Sequence, residues 1–335
     1  MTWLNIVRTS QNICAILSIT LNILLTFFIL KKSPKTVGSY KYLMIYISWF
    51  EIAYSILDVI VSPIIFSHGS IFLIFASAKN HFLSKFILSI LNSVYCGFFG
   101  SSMGIFAIHF IYRYFVATRS SYLKTFKGLR IIFWMLIPMI YGSLWGVFVH
   151  ILIGPNKKID QEIEFPILKA FDWKIQDIVY VGPYLYQKNA DGTYNNVDKN
   201  SVIAIIIMCS ILISSFSAII YFGSKCYFHI SNFKGMKSPK YRLLQSQLFF
   251  ALVTQTMIPL ILMQIPCGVL FIFTFLDKNL GQLIGIAAIT IALFPAIDPL
   301  PTMFIVKNYR LAITGFFKTT VIILVKQAAE ISTVF

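Results

Sequence analysis

The sequence has little charge and even less acid: of 335 residues, 12% are Asp, Glu, Lys or Arg, and only 12 are acidic. Soluble globular domains carry about 25% charged residues, so a chain that is 58% hydrophobic with a mean hydropathy of +0.79 is not one of them. Cysteine is scarce and poorly placed for crosslinking. Cys14, Cys96, Cys209, Cys226 and Cys267 all fall within or beside apolar runs, and the long polar loop has none, which argues against an extracellular disulfide framework. CxxC and HExxH patterns are missing, so neither a metal site nor a cofactor is expected. No nucleophile, base and orienting group recur at one place, which argues against an enzyme. The outer loops have no N-x-S/T sequon, and the N-terminus has one Arg and no small-residue cleavage pattern. The first apolar helix is therefore expected to act as its own insertion signal.

Long uncharged runs account for the composition. As helices rising about 1.5 Å per residue, each can cross a hydrocarbon core about 30 Å thick. The expected spans are 9–30, 42–66, 86–114, 131–153, 201–224, 243–276 and 281–306, with a long outer loop at 154–200 and a tail at 307–335. The sixth exceeds what a bilayer needs and is expected to tilt, or to kink at Pro259 or Pro266. Two shorter apolar runs, Ile71–Ala76 and Thr319–Val325, cannot span. The fold class is an all-α membrane protein, a single seven-helix bundle over residues 1–335.

Lys and Arg in the alternating loops set the expected orientation, because positive residues stay in the cytosol during insertion. The first, third and fifth loops and the tail hold seventeen; the opposite side holds ten, six of them in the long loop. Of the twelve acids, eight lie on that opposite side and only Glu330 on the first. The N-terminus is thus expected outside and the C-terminus in the cytosol. A net charge of +16 might suggest nucleic acid, but these cations sit at the ends of membrane helices and form no single soluble face. Anionic lipid headgroups or an acidic cytosolic protein fit them better.

Charge inside a bilayer is costly and normally faces the bundle interior. Asn22, Glu51 and Asp298 each lie eight to ten residues from the cytosolic end of their span, about 12–15 Å deep, and can meet as one cluster. Glu51 and Asp58 are seven apart, on one helix face. Such a cluster can glue helices by hydrogen bonds, bias two packings of the bundle through a proton or cation, or pass ions. No further carboxylates line a path for the last. Span three ends in His109-Phe-Ile-Tyr-Arg113-Tyr114. There Arg113 can snorkel to headgroups, or hold spans three and six together until an agonist separates them. Span seven carries Pro295, Asp298-Pro299 and Pro301, which remove backbone donors and distort the helix. With Pro259 and Pro266 these prolines mark hinges or static kinks.

Seven spans with an Asn in the first, a carboxylate in the second, an Arg ending the third and a proline-broken seventh resemble G-protein-coupled receptors. The strings His109-Phe-Ile-Tyr-Arg-Tyr114, Gln245-Ser-Gln-Leu-Phe249, Gln255-Thr-Met-Ile-Pro259 and Pro295-Ala-Ile-Asp-Pro-Leu-Pro301, then Tyr309-Arg310, resemble nematode chemoreceptors of the str class (serpentine receptor class r). The likeness runs from span two into the tail. It implies a receptor in the ciliary membrane of sensory neurons that detects a small odorant or soluble chemical and activates a heterotrimeric G protein. Arg113 matches the arginine of the D/E-R-Y motif, although Tyr112 replaces the acid and removes the local ionic lock. Asp298-Pro299 matches the start of N/D-P-x-x-Y, with Thr302 in place of its tyrosine, and no outer-loop cysteine can bridge to span three.

Converging helices leave a concave, mainly apolar cavity in the outer half of such a bundle. By depth its candidate lining is Asn92, Tyr95, Phe99, Met208, Met263, Gln264, Gln282 and Thr290, with Asp58 at the edge. Aromatic and Met lining suits small apolar ligands. Two other classes share the span count: a ligand-gated cation channel of odorant-receptor type, whose N-terminus lies inside, and a small transporter built from three-helix repeats. The charge bias opposes the first, and no such repeat supports the second.

Overall fold

The structure, a computed structural model, describes residues 2–79, 81–188, 194–231, 239–278 and 283–315. Among them seven helices or helix pairs are long and apolar enough to cross a membrane. The first four are α1 (Thr2–Lys32), α2 (Tyr40–Val61), α3 (Lys85–Ala117) and α4 (Ile131–Leu152). A non-spanning α5 (Lys157–Phe171) precedes the fifth, α6 (Lys199–Ser231). The sixth crossing joins α7 (Pro239–Pro259) and α8 (Ile265–Phe275) through a π-helical turn at Leu260–Gln264. The seventh is α9 (Leu283–Ile297) and α10 (Pro299–Ile305), and residues 307–315 continue as helix.

The regular helix of the sixth crossing is thus interrupted between its two prolines. Pro266 has no N–H to give to the turn before it, and the backbone widens by one residue per turn there. Span two ends at Val61, five residues before the expected 66. Ser62 takes a left-handed backbone (φ 46°) and Pro63 cannot continue the helix.

The bundle is not purely helical. Ile64–His68 and Ile71–Ser77 form an antiparallel hairpin, β1 and β2, around a two-residue loop in which Gly69 has φ 56°. Strand β3 (Ile178–Val181), from the long loop, pairs with β2 in the register Ile74↔Val181 to Ser77↔Ile178. The apolar run at 71–76, too short to span, is therefore the central strand of a sheet across one end of the bundle. Its residues alternate between two apolar layers. Phe72 and Ala76 face the helices, with Val7, Leu270 and Ile291, whereas Leu73 and Phe75 face outward, against Ile159, Ile163 and Ile167 of α5. Those three isoleucines recur every fourth residue, which makes one apolar stripe on α5. Asn156 caps that helix, its side chain accepting from the Lys158 and Ile159 N–H groups at 2.8 and 3.2 Å. A further ribbon, β4 (Tyr186–Lys188) with β5 (Tyr194–Val197), precedes α6.

α3 is the most buried crossing. It can approach α4 closely because both present glycine: a methyl group on Gly97 would stand 2.6 Å from the Gly142 carbonyl oxygen. That contact fixes the helix carrying Asn92, Tyr95, Phe99, His109 and Arg113.

Candidate functional site

Two interior regions carry the polar and ligand-sized features, one at each end of α3. Towards the loop end, proline chemistry explains the hydrogen bonds. Pro299 lacks the N–H that would meet the Pro295 carbonyl four residues back, and Asn22 Nδ2 donates to that oxygen at 3.0 Å. Three residues on, Gln255 Nε2 donates to the Asp298 carbonyl at 3.0 Å and to Asp298 Oδ2 at 2.8 Å. The hydroxyl of Thr302, at the position of the missing tyrosine, donates to Gln255 Oε1 at 2.8 Å. The Glu51 carboxyl lies beside both Asn22 and Asp298. Asn22, Glu51 and Asp298 are each 1% exposed or less. The structure thus brings together the three residues that depth alone grouped and adds Gln255 from α7. Gln255 was visible only as part of a motif.

One to two turns nearer the loops, Arg113 is 3% exposed, so it does not snorkel to headgroups. Its Nη1 donates to Gln245 Oε1 of α7 at 2.7 Å, and its guanidinium lies 3.6 Å from the centroid of the Tyr40 ring. Neither partner is a carboxylate, and Nε and Nη2 have no hydrogen-bond partner. Tyr40 also meets the His109 Nδ1 through its hydroxyl at 3.2 Å and stacks on Tyr112 at 5.2 Å. The residue that replaces the motif acid therefore supports the ring that holds the cation. Ser33 and Tyr309 close this end, their hydroxyls 2.6 Å apart.

Beneath the sheet lies a chamber of about 60 Å³, walled by α3, α4, α6, α8 and α9 and roofed by β2 and β3. Tyr95, Phe99 and Met208 line it, as expected. Among its side chains only the Tyr95 hydroxyl, the Trp145 indole and the thiols of Cys96 and Cys267 can hydrogen bond. The remaining expected residues lie elsewhere. Asn92 is fully buried but donates to the Ile74 carbonyl of β2 at 2.9 Å, tying the roof to α3. Met263 packs in the helical core, Gln264 sits on the π turn with Nε2 unpartnered, and Thr290 bonds back to Ala287 of its own helix. Gln282 lies outside the described residues. The roof, Phe72, Ile74 and Val181, escaped the sequence reading; the β-branched and aromatic run at 71–77 was the available signal.

A second cavity of about 10 Å³ adjoins the chamber, lined by Tyr54, Ser55, Asp58, Tyr95 and Pro295 among others. Asp58 is 5% exposed, with Tyr95 and Gln11 beside its carboxyl. A larger groove, about 390 Å³, runs along α3 and α4 past Val147 and Ile151, whose exposed side chains mark it as facing outward from the bundle.

Residues 7–314 match the family described as Serpentine type 7TM GPCR chemoreceptor Str. The chain belongs to the Str family of seven-transmembrane chemoreceptors. It is 35% identical over 312 residues to the Caenorhabditis elegans G-protein coupled receptor str-217, covering 92% of this chain and 89% of that one. To the Caenorhabditis elegans Serpentine receptor class r-10 it is 29% identical, covering 94% and 91%. The crystal structure of squid rhodopsin shares the fold, with a TM-score of 0.60 at 13% identity over 92% of this chain and 78% of that one. As a Str receptor the chain is a multi-pass membrane protein with the rhodopsin-type bundle. The proline-supported polar core and the Arg113–Gln245 contact are how this member of the family joins its crossings.

Proposed function

We propose that this Str receptor is a chemosensory receptor of the plasma membrane, in sensory neurons that of the cilium. Its N-terminus is outside, and the Arg113 end faces a heterotrimeric G protein. A compact, mainly apolar molecule binds in the chamber under the sheet, with Tyr95, Phe99 and Met208 as contacts. Binding favours a second packing of α7–α8 and α9–α10 only by its differential affinity for that packing. Those are the crossings that Pro259, Pro266, Pro295 and Pro299 interrupt, so they bend at least cost.

The observation that carries this reading is the state of Arg113. A buried guanidinium that, among the described residues, has two donor nitrogens unpartnered and no carboxylate beside it is poorly compensated for leaving water. Withdrawal of α7 removes Gln245 and releases the cation to acceptors on the G protein. Asn22, Glu51, Gln255 and Asp298 set the balance of the two packings from the middle of the bundle.

The test is expression of Arg113→Ala and Asp298→Ala in a heterologous cell with a G-protein readout and an N-terminal epitope tag. The expected result is a tag accessible on intact cells for both variants, near wild-type surface amounts and signalling lost. Loss of surface expression in both would assign the two residues to folding alone. A G-protein-independent current, or a tag reached only after permeabilisation, would contradict the receptor mechanism.

A further inference from the structure

The recess beside the chamber holds an unused acceptor. Asp58 is 5% exposed with Tyr95 and Gln11 beside its carboxyl, and Oδ1 has no hydrogen-bond partner among the described residues. The Tyr54 hydroxyl, on the same wall, is likewise without a hydrogen-bond partner among the described residues. The Ser55 hydroxyl donates to Ser18 Oγ at 2.7 Å, and Tyr54 and Tyr95 interact with each other, their rings 5.1 Å apart. A buried carboxyl oxygen without a donor is costly, so a site of this kind favours any occupant that supplies one. At about 10 Å³ the space admits one heavy atom with its hydrogens, near the minimum for a single water. Tyr95 and Ile291 line both cavities and stand between them. A turn of the Tyr95 side chain joins an apolar chamber of about 60 Å³ to a single acceptor.

We propose that chamber and recess form one two-part site for a compact apolar molecule that ends in a hydrogen-bond donor, a hydroxyl or ammonium group. The donor sits on Asp58 Oδ1 and the hydrocarbon part lies beside Phe99 and Met208. This rests on the chamber's being the ligand site and adds the chemistry it selects. Purely apolar molecules are disfavoured because they leave Oδ1 as it was, and molecules with acceptors only because they can meet the Tyr54 hydroxyl but still leave Oδ1 without a donor.

The experiment is thermal unfolding of the purified full chain in lipid nanodiscs, titrated separately with 1-pentanol, pentylamine, 2-pentanone and pentane. The alcohol or the amine is expected to stabilise the wild type at concentrations at least tenfold below those the ketone and the alkane require. Asp58→Ala is expected to remove that difference. All four probes also partition into lipid, but equally for wild type and variant, so the difference between proteins reads the site. If Asp58→Ala does not fold, Asp58→Asn serves. It keeps an acceptor oxygen without the charge, so a hydroxyl ligand retains its preference and an ammonium ligand loses it. Equal potency of all four probes on the wild type, or a donor preference that survives in Asp58→Ala, overturns the proposal and leaves the chamber standing. No stabilisation by any probe at saturation overturns the chamber reading as well.

Discussion

The sheet end and the Arg113 end of the bundle are closed by opposite means. At the sheet end, closure is dry. Phe75 is fully buried, 5.3 Å from Phe171 and 6.1 Å from Trp173, and α5 adds Ile159, Ile163 and Ile167 over the roof. From the middle of the bundle to the other end, a handful of directed hydrogen bonds and one cation over a ring join the helices, one of the bonds made to the Pro295 carbonyl that Pro299 leaves free. Apolar packing is dense and changes little with small displacements of its members, whereas a hydrogen bond is made or broken within an ångström. A receptor that recognises shape at one end and switches at the other has each chemistry where it is useful.

The comparison can be broken at either end. Phe75→Ala opens the roof and should cost the most, about 3–5 kcal/mol for a large buried aromatic. The melting temperature of the purified receptor should fall accordingly, while ligand-independent G-protein activation per folded molecule stays at the wild-type level. Asn22→Ala removes the donor to the Pro295 carbonyl. Interhelical hydrogen bonds in membranes contribute about 0.6 kcal/mol on average and about 1.7 at most, so the fall in melting temperature should be small. Basal activation should nonetheless move, because the bond lost belongs to the balance of the two packings. Equal effects of the two variants on stability and on basal activity would erase the distinction between the ends.

A smaller effect than that of Phe75→Ala, and none on the switch, is expected at Tyr180, outside the spans, whose hydroxyl donates to Asp160 Oδ1 at 2.7 Å. Burial, and then the bond to Asp160, push its ionisation above the ordinary value near 10. The folded chain therefore keeps this proton where the unfolded chain has lost it, so stability is unaffected at neutral pH and declines as pH rises past about 10. Tyr180→Phe should lower stability by about 1 kcal/mol near neutrality and remove that alkaline decline, read by melts across pH.

Seven crossings, the Asn22–Glu51–Asp298 cluster and the placement of Arg113 were legible in the sequence because charge and proline inside apolar runs are rare and carry depth with them. Gln255 and Gln245 were harder, since a glutamine in a membrane helix does not say which face it occupies. The sheet was not foreseen. A six-residue apolar run fails a length criterion built on bilayer thickness, and the pairing of β2 with β3 joins Ile74 to Val181 across about a third of the chain, with no local periodicity to announce it. The chamber was therefore half legible: Tyr95, Phe99 and Met208 came from depth along helices, while its roof came from strands.

The central claim is that Gln245 restrains Arg113 and that its removal releases the switch. Nucleotide exchange on a panel of heterotrimeric G proteins, driven by purified Gln245→Leu receptor without any ligand, tests this most directly. The account predicts exchange several-fold above wild type, abolished when Arg113→Ala is added. Exchange equal to wild type in a correctly folded Gln245→Leu receptor would contradict it.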